Sequence, residues 1–137
     1  MSNARRNVMI FNASDDTMDT LEDVLGREGY VCVRSCIRDF RRGTRDLSAF
    51  LREHDPSVVV WDISVPYGIN WSFLEQSRRT STPLLHGRGL VVTTTNAARL
   101  ADIVGPHTGA IEISDGQKDL QALVDAVQKH LMTSSPT

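Results

Sequence analysis

Asp62 ends the apolar run Val58-Val-Val-Trp61, where a β-strand would give way to a loop. Its carboxylate would then project from the edge of a sheet, and Pro66 would stiffen the loop beyond it. An anionic oxygen held there can attack an electrophile or ligate a cation, although an isolated aspartate after a strand more simply caps a turn. Two other apolar runs end in polar groups. Asn12, Asp15 and Asp16 follow Val8 to Phe11, and Thr94 follows Leu90-Val-Val-Thr93. Helix capping is the plainer role for the two aspartates.

Other chemistry is thinner. Arg34, Arg38, Arg41, Arg42 and Arg45 form a basic stretch that could meet phosphate groups or an acidic partner, though such runs are usually solvated loops. The histidines at 54, 86, 107 and 130 fit no metal-ligand spacing. His86-Gly-Arg-Gly89 has the glycines of a phosphate loop but precedes an apolar run, which puts it at the opposite end of a strand from Asp62.

The polar groups can cooperate only if the runs that carry them lie side by side. Val8 to Phe11, Val31 to Val33, Val58 to Trp61 and Leu90 to Thr93, with a weaker Ala110 to Ile113, are apolar throughout rather than alternating, the pattern of parallel strands buried on both faces. Between them lie helical spacings, such as Met18, Leu21, Val24 and Leu25, or Leu120, Leu123, Val124, Val127 and Leu131. Asn70, Asn96 and Asp115 are candidate N-caps, and Gly29 is placed to end the first helix. Alternation of five strands with five helices predicts an α/β doubly wound parallel sheet covered on both faces. Ligands of such sheets sit at the carboxyl ends of the strands. The loops that matter therefore begin near Asn12, Arg34, Asp62, Thr94 and Ser114.

A length of 137 residues fits one domain, expected over 1–132, with a polar tail at 133–137. The formal charge of −2 gives no pull toward nucleic acid or anionic membrane. Cys32 and Cys36 have no second pair to complete a zinc site and read as reduced thiols. The run at the start is too short for a signal h-region or a membrane span, so a cytoplasmic location is the expectation.

Asp62-x-x-x-Pro66, Thr94 placed before Gly109-Ala110, and a first helix ending at Gly29-Tyr30 together resemble the receiver domain of two-component response regulators, the CheY-like superfamily, from Val8 to about Leu131. The resemblance implies a flavodoxin-like, three-layer, non-enzymatic signalling domain. Asp62 would be its phosphoacceptor and Thr94 its switch hydroxyl. It also implies Mg²⁺ on Asp62, the Ser64 backbone carbonyl, Asp16 and Asn12, with no other cofactor. The implied partners are a sensor histidine kinase or phosphotransfer protein, a downstream protein and a second copy of the chain as a homodimer, with no nucleic acid or membrane.

Two departures from the family pattern bear on the chemistry. Asn12-Ala13 stands where receivers carry an acidic pair, and Ser114-Asp-Gly116 where they carry a lysine, with Lys118 further on. Each missing charge typically forfeits about 3–4 kcal/mol of transition-state stabilisation, so phosphotransfer is expected to be slow. The alternative is a pseudo-receiver, a protein-interaction module that works without phosphorylation. An enzyme on the same architecture is a third reading, weakened by the lack of a glycine-rich phosphate loop or a clustered acid and base.

Overall fold

The computed structural model describes residues 7–11, 15–80, 85, 87–113 and 117–133; the side chains of 15–17, 80, 117–120, 132 and 133 fall outside that description. In chain order the elements are β1 (Asn7–Phe11), α1 (Asp15–Gly26), β2 (Val31–Ser35), α2 (Ile37–Arg41), α3 (Leu47–His54), β3 (Val58–Ile63), α4 (Tyr67–Thr80), β4 (Gly89–Thr94), α5 (Ala97–Val104), β5 (Ile111–Glu112) and α6 (Gln117–Thr133). The strands form one parallel sheet in the order β2-β1-β3-β4-β5. This is the doubly wound α/β architecture that the apolar runs predict, with the strand order reversing between β1 and β3.

Every residue of β3 is buried, as its uninterrupted apolar run requires. Alternate side chains feed two cores. Met9, Phe11, Val59, Trp61 and Ile63 face α2 to α5, while Val8, Ile10, Val58 and Val60 face α1 and α6. Phe11 stands edge-on to Trp61 at 5.0 Å and to Phe40 at 5.6 Å, which binds α2 to the sheet. Gly29 takes φ 89°, and the Tyr30 amide donates to the Leu25 carbonyl, closing α1 as predicted. Asn96 caps α5 by accepting from the Arg99 amide. No described helix is long and apolar enough to cross a membrane.

Three local expectations change. The basic stretch after β2, read as a solvated loop, contains α2, whose Ile37 and Phe40 are buried; so short an element leaves no measurable period in sequence. Asn70 is not an N-cap but lies inside α4, buried. β5 is confined to Ile111–Glu112, whereas β3 runs on through Asp62 to Ile63.

Trp61 is fully buried, and its Nε1 has no hydrogen-bond partner among the described residues. A buried unpaired donor costs about 1–3 kcal/mol, so removing it offsets much of the lost ring volume. Trp61→Phe is therefore expected to cost less than about 1.5 kcal/mol in urea unfolding, against about 3–5 kcal/mol for Trp61→Ala. Similar costs for the two would show that the indole N–H is paired.

Candidate functional site

The carboxyl ends of β3 and β4 bring the site together. Asp62 is opposite Thr93 in the parallel register, and Ile63 is opposite Thr94. Asp62 continues the Val58, Val60 face toward α1 and α6, and Thr93 continues that of Val91. The Thr93 hydroxyl donates to Asp62 Oδ1 at 2.7 Å, with both residues buried. Thr94 points the other way, fully buried, and donates to the Ile63 carbonyl at 2.8 Å. The hydroxyl on the carboxylate is thus that of Thr93, one position before the threonine singled out in sequence. Only the register of β4 against β3 distinguishes them, because Val91 and Val92 are both apolar.

Burial raises the Asp62 carboxyl to a pKa of about 6, an effect the Thr93 hydrogen bond partly opposes. Among the described residues no cation approaches to hold the charge down, so desolvation is the largest influence on the group. Around it, the Tyr67 hydroxyl lies 3.5 Å from Thr95 Oγ1, linking the start of α4 to the loop after β4. Glu112 accepts from the Ala97 amide, holding β5 to the first turn of α5.

The loop after Asp62 is tied down by Asn70. Its side-chain amide donates to the Ser64 carbonyl at 2.8 Å, and its oxygen accepts from Arg41 of α2. The Ser64 carbonyl, an implied magnesium ligand, therefore already has a donor. Asn12, and the side chains of Asp16 and Lys118, lie outside the described residues, as do Ala13, Asp15 and 114–116. The described residues contain no cluster of three potential metal-ligating side chains. They contribute two oxygen sites, Asp62 and the Ser64 carbonyl, each already hydrogen-bonded, and do not by themselves fit Mg²⁺.

The basic stretch divides. Arg34, in β2, pairs with Asp19 and Glu22 of α1, each at 2.7 Å. Arg45 lies over the Phe40 and Phe50 rings. Arg38 and Arg41 instead line a cavity of about 380 Å³ with Cys36, Ser64, Val65 and Asn70. Sequence spacing had no means of revealing this cavity, since Asn70 and Arg41 meet only through the fold.

No family model matches the sequence, and no curated protein matches it. Among solved structures, the chain is similar to the Vibrio cholerae chemotaxis protein CheY4, crystallized at low pH, with a TM-score of 0.55 and 18% sequence identity, over 88% of this chain and 97% of that one. The chain thus has the CheY-like receiver fold, a flavodoxin-like arrangement.

Proposed function

We propose that the chain is a receiver-like signalling domain that accepts a phosphoryl group on Asp62 from a phosphohistidine of a kinase or phosphotransfer protein, and thereby changes its contacts with a protein partner. The carrying observation is the placement of Asp62 on the receiver fold, at the carboxyl end of the central strand with Oδ1 held by Thr93. Its other oxygen, Oδ2, has no hydrogen-bond partner among the described residues. In the transfer, Asp62 Oδ2 forms a bond to phosphorus as the phosphorus–nitrogen bond breaks. The imidazole leaves with that electron pair and takes up a proton. Thr93 fixes the carboxylate so that one oxygen faces the donor. Thr94 enters this reading as the family's switch hydroxyl, which would have to leave the Ile63 carbonyl to respond.

Acetyl phosphate in magnesium-containing buffer tests the reading, with intact-mass detection. At pH 7.5 a single phosphoryl adduct is expected on the wild type and none on Asp62→Asn. The nucleophile is the anion, so the initial rate should fall as pH drops through about 6, to roughly a tenth by pH 5. No adduct on the wild type would overturn phosphoacceptance.

A pseudo-receiver is the second reading, favoured by the Asn70 amide on the Ser64 carbonyl and by Asn12-Ala13 in sequence. On that reading the surface binds a protein partner equally well with aspartate or asparagine at position 62.

A further inference from the structure

Arg38 and Arg41 lie on the opposite side of the sheet from Asp62, because α2 packs on the Phe11, Trp61 face. Most other described arginines near acidic groups are spent on them: Arg27 on Asp23, Arg78 on Glu75, Arg88 on Asp55. Arg38 and Arg41 have no carboxylate partner among the described residues. The described residues that line their cavity include no acidic side chain. Arg41 is half-buried and oriented by the neutral oxygen of Asn70, itself only 5% exposed. A guanidinium aimed by an amide keeps its full positive charge and further N–H donors for a ligand.

The cavity size falls in the lower part of the range of small-molecule sites, roughly 300–1,000 Å³. Past Arg41 a second depression of about 300 Å³ opens, lined by Gly68, Ile69, Ser72, Phe73 and Gln76. Ile69 there is 56% exposed. One end thus offers two guanidinium groups, whose geometry suits phosphate oxygens, and the other offers apolar surface. We infer that the cleft between α2 and the start of α4 is a binding site for a small organic phosphate monoester, with the phosphate on Arg38 and Arg41 and the organic part against Ile69 and Phe73.

Titration of the full chain with phenyl phosphate, inorganic phosphate and phenol at low ionic strength tests the assignment, followed by calorimetry and by arginine side-chain NMR signals. Phenyl phosphate should bind saturably at one site and shift the Arg38 and Arg41 signals. Inorganic phosphate should bind more weakly and phenol not at all. Arg38→Gln should weaken phenyl phosphate about three- to tenfold without changing the melting temperature, since Arg38 is exposed; a charge-assisted bond has about that effect. Asp62→Asn should bind phenyl phosphate as the wild type does, which separates this site from the acceptor. Absence of saturable binding, equal binding of phenol, indifference to Arg38→Gln, or loss of binding in Asp62→Asn would each overturn the assignment.

Discussion

Asp62→Asn is expected to make the protein more stable at pH 8 while removing its acceptor carboxylate. The folded protein holds the Asp62 carboxyl at a pKa of about 6, against 3.8 for an unperturbed group, because the side chain is buried. Between those values the folded state carries more of the proton than the unfolded state, so stability falls as pH rises; above about 6 the full penalty is in place. A shift of this size corresponds to at most about 3 kcal/mol. Asparagine has the same shape, carries no charge to desolvate and still presents an oxygen to the Thr93 hydroxyl. The melting temperature should therefore rise by roughly 5–10 °C at pH 8, and the difference should shrink as pH falls below about 6 and vanish by about pH 3, where both states of the wild type are largely protonated. Thermal scans of both proteins across that range check it. An asparagine variant equal to or less stable than the wild type at pH 8 would mean that the buried carboxylate is stabilised by a charge.

Gly89→Ala is expected to destabilise the domain by about 2–3 kcal/mol in urea unfolding, through steric overlap. A Cβ at position 89 would lie 2.6 Å from His130 Cβ, 2.7 Å from Cγ and 2.8 Å from Nδ1. No backbone strain contributes, since Gly89 is not among the positive-φ residues. His130→Ala keeps the offending Cβ, so adding it to Gly89→Ala should recover little. His130→Gly removes that carbon and should recover most of the loss, less the ~1 kcal/mol cost of glycine in a helix. Equal recovery in the two double variants would place the conflict elsewhere.

The fold was legible because its information is local and repeated. Five apolar runs without alternation, separated by helical spacings, leave few topologies once right-handed crossovers are required. Val58 to Trp61 marked the central strand, and Asp62 lies one residue short of its end. The site was less legible because its contacts join distant positions. Three threonines at 93 to 95 look alike until β4 is set in register against β3, and that register gives Asp62 to Thr93. Asn70 has a helix-capping composition, yet it sits within α4 and joins α2 to the loop after β3. The arginine stretch read as a solvated loop because charge alone does not show that Phe40, two positions from Arg38, anchors it to the core.

The double attachment of Asn70 makes the loop at Ser64 responsive to events on α2. One amide holds the carbonyl two residues beyond Asp62 and, through its oxygen, a guanidinium of the cleft. A ligand that withdraws Arg41 from Asn70 would release the loop, and a phosphoryl group on Asp62 that repositions Ser64 would act on Arg41 through the same amide. Thermodynamic reciprocity then requires equal coupling in both directions: the factor by which a cleft anion changes the Asp62 phosphorylation equilibrium is the factor by which phosphorylation changes anion affinity. One buried asparagine would thus make the two faces of the sheet a single two-input device.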